Sequence, residues 1–365
     1  MNNGLALNNQ DIAHKSLINW RQVGIFLGLT FAASYVLDLV LWLTAGYGNN
    51  VPTTIILQAR MLMPAFFAIF LSLFIYKNSP IYFRNYRERP RWFFYFFLLF
   101  TLTYLLLAGL AIIIPKYSII ISAVSGSINI LGLIILVALR IFSGREAFAQ
   151  AGLVGGKIRD WVLYSLAFIL FYTLQTGLFA FFNLGEVVDQ EAVMESLGAA
   201  QFGGMPIFLF LLLAAIQTIL IGPILGLLLG FGEEYGWRSY LQGEILSMGK
   251  KRAILLIGLI WGIWHYPVIW MGHNYPGEPV WGTFLMTAYT ILLAFVLGYV
   301  MLKTGAILLV AYLHALNNQV LSYLIALVYN PGDPVFSYGT GLFGLAALGL
   351  VVLLLFRDPV WKDET

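Results

Sequence analysis

The sequence predicts an all-α fold, a polytopic transmembrane helix bundle of about ten spans with both termini in the cytoplasm. Its 365 residues are 60% hydrophobic and only 10% charged, whereas ordinary soluble domains are about 25% charged. Apolar runs of about 20 residues recur along the chain, and this is the length that crosses a bilayer core. Basic residues gather in alternate loops, the arrangement that orients helical membrane proteins.

The predicted spans follow one another through short connections, and their ends are set to within several residues. Pro115 and Lys116 separate spans three and four, and an acidic loop separates spans five and six. The spans cover about residues 23–45, 54–76, 93–114, 119–142, 161–182, 207–229, 254–271, 283–302, 306–328 and 341–356.

Loop charge orients these spans in the membrane. The loop after span two carries Lys77 and several arginines against Glu88 alone, and basic residues also follow spans four, six, eight and ten. The loops on the other side are neutral or acidic, apart from Lys116. The positive-inside rule therefore predicts cytoplasmic termini in a multi-pass protein of the cell membrane.

Composition also excludes several kinds of site and partner. The chain has no cysteine, which excludes disulfides, thiolate metal ligands and cysteine nucleophiles. Its net charge is only +3, so we expect no contact with nucleic acid. The apolar spans are expected to contact membrane lipid.

One pair of charges lies within the first helical hairpin. Asp38 and Arg60 are each six or seven residues from the outer ends of spans one and two, so antiparallel packing brings them to similar depth. Because charges inside a membrane bundle usually pair with one another, we predict a structural ion pair rather than a catalytic role for either residue.

The charged stretch Gly-Glu-Glu-Tyr-Gly-Trp-Arg, residues 232–238, directly follows the apolar run of span six. Glu234 and Arg238 have the i, i+4 spacing of a helical ion pair. Glu233 is turned about 100° away, on the face of Trp237, and has no such local partner. An unpaired carboxylate in a low-dielectric site can accept a proton near neutral pH, which makes Glu233 the candidate general base. The alternative is a helix end that reaches the lipid headgroups.

Two histidines add to this candidate site. His265 lies about twelve residues into span seven, and His314 lies about eight residues into span nine, with Asn318 on the same helix face. A lone histidine in a span more often makes a helix–helix hydrogen bond, but two at similar depth beside a glutamate favour a functional polar site. We assign His14 and His273 to solvated positions.

Three spaced motifs resemble those of the CAAX-protease and bacteriocin-processing (CPBP, or Abi) family of intramembrane proteases. The second motif has Trp where the family often has Phe. The resemblance covers roughly residues 162–328, and three motifs in this order are more specific than any one of them. In this chain they read Glu233-Glu234-x-x-x-Arg238, Trp261-x-x-x-His265 and His314-x-x-x-Asn318.

The resemblance implies a mechanism. In the family, the residue that matches Glu233 activates a water molecule with help from the one that matches His265, and the water attacks a peptide carbonyl. The residues that match His314 and Asn318 then stabilise the oxyanion. Three further residues have supporting roles: Glu234, Arg238 and Trp261. The roles of Glu234 and Arg238 come from their i, i+4 spacing.

Metal dependence is open at this point. Glu233, His265 and His314 have the donor types of a three-ligand catalytic zinc site. The chain lacks a His-Glu-x-x-His pair that would make zinc the default, so we favour a reaction without a metal cofactor.

The resemblance also sets the expected organisation. Residues 1–115 form accessory N-terminal spans, residues 116–330 a CPBP-like catalytic core, and residues 331–365 a last span with a short cytoplasmic tail. The expected activity is hydrolysis of a peptide bond near the cytoplasmic face, in a peptide or protein substrate that is membrane-associated or lipid-modified.

Two other classes of function compete with this expectation. A membrane scaffold or bacteriocin-immunity protein would keep the polar motifs as a brace. A proton-coupled transporter would use Glu233 and the histidines as a relay, although the chain shows no internal repeat of the kind that transporters contain.

Overall fold

The computed structural model describes residues 18–196 and 205–362, so His14 lies outside the described residues. Helices make up nearly all of the regular structure there, and a two-residue antiparallel pair is the exception. Long helices are expected of apolar segments, because a helix satisfies every backbone polar group within itself.

The elements follow in chain order. They are α1 (Trp20–Leu43), α2 (Val51–Phe70), α3 (Arg91–Ile113), α4 (Ser118–Ser143), α5 (Arg145–Gln150), α6 (Ile158–Phe181), β1 (Glu186–Val187), α7 (Gln190–Ser196), α8 (Ile207–Ala215), α9 (Gly222–Leu225), α10 (Leu227–Glu234), α11 (Gln242–Ile245), α12 (Lys250–Trp264), α13 (Tyr266–Trp270), α14 (Pro279–Thr304), α15 (Ile307–Leu327), β2 (Tyr329–Asn330) and α16 (Leu342–Leu355).

Eight helices of the described chain are long and apolar enough to cross a membrane. They coincide with predicted spans one to six, eight and nine, and the all-α polytopic bundle is therefore confirmed. Predicted span seven is divided at His265 into α12 and α13, and predicted span ten is α16, which is only 14 residues long. The count of ten and the cytoplasmic termini stay predictions.

Three of the helices run on into π-helical turns. These turns follow α2 (Leu71–Ile75), α8 (Ile216–Ile221) and α10 (Tyr235–Leu241). A π-helical turn adds a residue to the helical repeat and so changes which side chains share a face, and such turns recur at functional sites. The third one begins directly after Glu234 and contains Arg238.

Helix α10 lies between α2 and α15 and packs against both. On one side, a Cβ at Gly232 would lie 2.6 Å from the carbonyl oxygen of Met61 on α2, and Gly236 meets the same helix at Pro64. On the other side, Gly230 packs against the backbone of Ala311 on α15. Small residues therefore let α10 approach two helices closely at once, as in other membrane helix pairs.

The predicted ion pair of the first hairpin is confirmed. Arg60 Nε lies 3.0 Å from Asp38 Oδ1, and both side chains are almost fully buried. The remaining long-range elements close the bundle: β1 and β2 pair Glu186 with Asn330 and Val187 with Tyr329, and α16 packs against α14.

Candidate active site

Three helices bring the polar motifs together inside the bundle. Glu233 and Glu234 end α10, Trp261 belongs to α12, and His314 belongs to α15. Both carboxylates are buried, with exposed fractions of 3% and 0%. The motif is therefore not a helix end at the membrane surface, since a charged headgroup-facing end would be exposed.

Glu234 has two partners. Its Oε2 lies 3.1 Å from Nε of Arg238, the i, i+4 pair that the spacing predicted. Its Oε1 accepts a hydrogen bond from Nδ1 of His314 at 2.6 Å. Because a carboxylate accepts and does not donate when ionised, this contact places a proton on Nδ1. Glu234 therefore orients the imidazole of His314 as well as pairing with Arg238.

Glu233 is held by a different side chain. The indole Nε1 of Trp261 donates to Glu233 Oε2 at 2.7 Å. Its other oxygen, Oε1, lies 3.9 Å from Nε2 of His314, which is longer than a hydrogen bond. One oxygen is thus engaged, while the second faces an imidazole nitrogen without bonding to it. The structure brings Glu233 and His314 together, although Glu233 is not as free of partners as its spacing suggested.

Trp261 also contacts both partners of Glu234. The guanidinium carbon of Arg238 lies 4.4 Å from the centroid of the Trp261 ring, within the range of a cation–π contact. The same ring lies 5.6 Å from the His314 ring. The tryptophan that replaces the more usual phenylalanine of the motif therefore adds a hydrogen-bond donor that phenylalanine lacks.

His265 is positioned at the break between α12 and α13. Its Nδ1 lies 2.8 Å from the carbonyl oxygen of Trp261, and because a carbonyl only accepts, Nδ1 is the donor. In the neutral ring, Nε2 is then the acceptor and can take a proton. Within the described residues, the structure shows no ion pair or hydrogen bond between His265 and either glutamate.

Asn318 lies at the edge of the cluster rather than inside it. Its side chain is exposed, and its Oδ1 accepts a hydrogen bond from Nδ2 of Asn317 at 3.0 Å. The buried amide is Asn317, which accepts from Tyr172 Oη at 2.6 Å and donates to Tyr289 Oη at 2.9 Å. Sequence reasoning missed this network, because i, i+4 spacing from His314 selected Asn318 and nothing in the chain marks the two tyrosines.

The assignment of His273 to a solvated position is wrong. The side chain is partly buried and hydrogen bonds through Nδ1 to Tyr47 Oη at 2.7 Å. Burial, and then the charge of Arg60, lower the pKa of His273 to about 4. The loops at this end of the first hairpin and of α13 pack on each other, a contact between residues 226 positions apart that no local pattern reveals.

The grouping of donor side chains in the described residues bears on the zinc alternative. Among the described residues, no three His, Asp or Glu side chains are grouped so that they could hold one ion. His265 uses Nδ1 for a backbone carbonyl, and His314 uses Nδ1 for Glu234. Both hydrogen bonds leave Nε2 available, as in metal-bound histidines, so metal dependence stays a prediction, and we derive no step through a metal.

Comparison with known proteins agrees with the motifs. Residues 215–320 match the family model described as type II CAAX prenyl endopeptidase Rce1-like. The chain is also similar to a protein of Methanococcus maripaludis described as CAAX prenyl protease 2, with 37% identity over 59 residues. That alignment spans 15% of this chain and 22% of the relative.

The matched segment contains all three motifs, from Glu233 to Asn318. Its residues are the ones that form the buried cluster of carboxylates, indole and imidazole described above. The chain is therefore a multi-pass membrane protein in which residues 215–320 are similar to CAAX prenyl endopeptidases.

Proposed function

We propose that this protein is an intramembrane endopeptidase of the cell membrane in which Glu233 is the general base. The observation that carries the proposal is the buried Glu233 carboxylate, with one oxygen fixed by Trp261 and the other facing Nε2 of His314 at 3.9 Å. A carboxylate held in this way has a defined direction for accepting a proton. General-base catalysis requires such positioning within hydrogen-bond reach of the reacting water.

The remaining residues divide the other tasks. His265 presents Nε2 as an acceptor in its neutral form, which suits it to assist Glu233 in activating the water. His314 carries a proton on Nδ1, and Glu234 beside it stabilises a positive charge on the ring. When Nε2 is protonated too, it can donate to the oxyanion of the tetrahedral intermediate.

Asn318 is the proposed second oxyanion donor. Its bond to Asn317 uses the amide oxygen, and the Nδ2 group is left for another acceptor. Because the side chain is exposed, it can meet a peptide carbonyl that enters from outside the buried cluster. Donors placed before the reaction cost no reorganisation when charge develops.

The proposed substrate class rests on the similarity of residues 215–320 to CAAX prenyl endopeptidases and of the chain to a CAAX prenyl protease. We propose a membrane-associated or lipid-modified peptide or protein, cut near the cytoplasmic face. The test is cleavage of a peptide with a farnesylated C-terminal CAAX sequence by the purified full-length protein in lipid nanodiscs, with the unmodified peptide in parallel. Failure of the wild-type protein to cut either peptide would contradict the proposal and favour the scaffold alternative.

Replacement of Glu233 by Gln tests the role of this residue. The amide has the same shape but does not act as a base, so kcat should fall by about 10²–10⁴-fold, the usual contribution of a general base. The matched control is Glu186→Gln in the exposed strand β1, which should leave kcat unchanged. Retained turnover in Glu233→Gln would exclude Glu233 as the base.

Removal of metal ions tests the other open alternative. We expect a chelator to leave cleavage unchanged, because the proposed residues act without a metal. Loss of activity on chelation that zinc alone restores would overturn this part of the proposal.

A further inference from the structure

The helix break that carries His265 leaves a backbone carbonyl without its usual donor. Pro267 has no N–H group, so the carbonyl of Ile263, four residues earlier, loses its helical hydrogen bond. A buried carbonyl without a partner is costly, and such groups normally find another donor. In this chain Tyr35 Oη donates to Ile263 O at 2.7 Å, and the backbone N–H of His265 also points to this carbonyl. Tyr35 belongs to α1, far outside the segment that matches the family.

The next carbonyl is also bound by the N-terminal helices. Nη2 of Arg60, on α2, donates to the carbonyl oxygen of Trp264. The guanidinium carbon of Arg60 lies 3.6 Å from the centroid of the Trp264 ring, and Asp38 fixes the guanidinium from α1. The Trp264 indole in turn donates to Ser34 Oγ at 2.9 Å.

These contacts end at the imidazole itself. The Trp264 ring lies 4.9 Å from the His265 ring, edge-on at 86°. A rotation of the Trp264 peptide or indole would therefore turn His265, whose one side-chain hydrogen bond within the described residues runs from Nδ1 to Trp261 O. The ion pair of Asp38 and Arg60 thus does more than join the first two helices.

The same helix α2 also touches the glutamate helix. Its backbone at Met61 and Pro64 meets Gly232 and Gly236, the two glycines that flank the glutamates. Arg60 is the residue directly before this contact. A single helix, α2, therefore contacts both the element that carries Glu233 and the break that carries His265.

We propose that Tyr35 and Arg60, with Asp38 holding Arg60, are positioning residues that set the orientation of His265 relative to Glu233. The proposal rests on the proposed function, because it assigns His265 a part in the reaction. It gives the N-terminal helices a task in catalysis although they lie outside the matched segment. A displacement of about 1 Å in a catalytic group can lower turnover by about a hundredfold.

The test uses Tyr35→Phe, which removes one hydroxyl and keeps the ring. Arg60→Lys is the second variant, since it keeps the charge opposite Asp38 but loses the planar fork and its stacking. The matched control is Tyr323→Phe, because Tyr323 Oη also donates to a backbone carbonyl of another helix, Leu211 O at 3.1 Å. All are prepared as full-length protein in nanodiscs.

The first measurement is the split between kcat and KM with the farnesylated peptide. We expect Tyr35→Phe and Arg60→Lys to lower kcat at least about tenfold with KM within about twofold of wild type, and Tyr323→Phe to change neither. Equal effects of Tyr35→Phe and the control would overturn the proposal. If Arg60→Lys does not fold, Tyr35→Phe decides.

The second measurement does not depend on cleavage. Diethyl pyrocarbonate carbethoxylates histidine side chains, and mass spectrometry reads the rate at His265 separately from that at the other histidines. We expect the rate at His265 to rise at least about threefold in Tyr35→Phe, because a loosened imidazole is more accessible, and to stay at the wild-type value in Tyr323→Phe. An unchanged rate in Tyr35→Phe refutes the positioning role even if no peptide is cut. If the modification rate at His265 rises in Tyr35→Phe but the wild-type protein cuts no peptide, the proposed function is refuted and the positioning role is not.

Discussion

Arg238 is buried with less hydrogen bonding than its charge requires, and this makes its removal informative. Its Nε pairs with Glu234 Oε2 at 3.1 Å, but Nη1 and Nη2 have no hydrogen-bond partner among the described side chains and backbone. At 3.1 Å and an effective dielectric of about 20, the attraction between the two charges is about 5 kcal/mol. The desolvation of both charges opposes this attraction.

Arg238→Met removes one charge and keeps most of the volume. Glu234 then stays buried with His314 as its main partner, and we expect the free energy of unfolding to fall by about 3–5 kcal/mol, the usual cost of breaking a buried pair. The double variant Glu234→Gln/Arg238→Met removes both charges, together with the two unpartnered guanidinium nitrogens. We expect it to be as stable as wild type, or more stable.

Reversible unfolding of the purified protein in mixed detergent micelles measures both variants, and Arg238→Lys serves as the charge-preserving control. The turnover of the double variant tests a second role of Glu234, independent of stability. The neutral amide that replaces the Glu234 carboxylate cannot stabilise a positive charge on His314, so the double variant should have a kcat at least about tenfold below that of wild type. A loss of less than about 1 kcal/mol in Arg238→Met, or a double variant less stable than that single one, would refute the reasoning.

Three further predictions concern packing, pH and the two asparagines. Gly236→Ala should lower the free energy of unfolding by about 1–3 kcal/mol, because its Cβ would collide with α2. Gly243→Ala should leave it unchanged, because a Cβ there meets open space. Equal effects of the two variants in the same unfolding assay would contradict the contact between Gly236 and α2. The lowered pKa of His273, about 4 when folded against about 6.5 when unfolded, means that the unfolded chain binds more protons between these values. Thermal stability should therefore be complete above about pH 6.5 and fall towards about pH 4, and an equally steep fall in His273→Asn would exclude this origin. Asn317→Ala should lower the free energy of unfolding by about 1–3 kcal/mol, because two buried tyrosine hydroxyls lose their amide partner. Asn318→Ala, at an exposed position, should leave the free energy of unfolding within about 0.5 kcal/mol of wild type and should lower kcat. The reverse pattern would exchange the roles of the two asparagines.

Local spacing was sufficient for part of the site. The pair of Glu234 and Arg238 lies within one helical turn and follows from i, i+4 geometry alone. The pair of Asp38 and Arg60 joins consecutive antiparallel helices, so their distance from the shared loop was enough to predict it. In both pairs, the short stretch of chain between the two residues keeps them close.

Contacts between distant helices were beyond this reasoning. Tyr35 and Ile263 are 228 positions apart, and nothing near either residue marks the other. Asn317 rather than Asn318 is buried because α15 turns that face towards the tyrosines of α6 and α14. One residue is about 100° of helix rotation, so only the packing of three helices decides between neighbours of the same type.

The glycines of α10 and of the π-helical turn that follows it explain why Glu233 and Glu234 face His314. Gly230 packs on α15, and Glu233 and Glu234 follow it at i+3 and i+4, so all three share one face of the helix. Gly232 and Gly236 lie on the opposite side, against α2. A larger residue on either side would push α10 off one neighbour and change the depth at which the carboxylates meet α12 and α15. The position of Glu233, the proposed base, is therefore set by the glycines near it as much as by the hydrogen bond from Trp261.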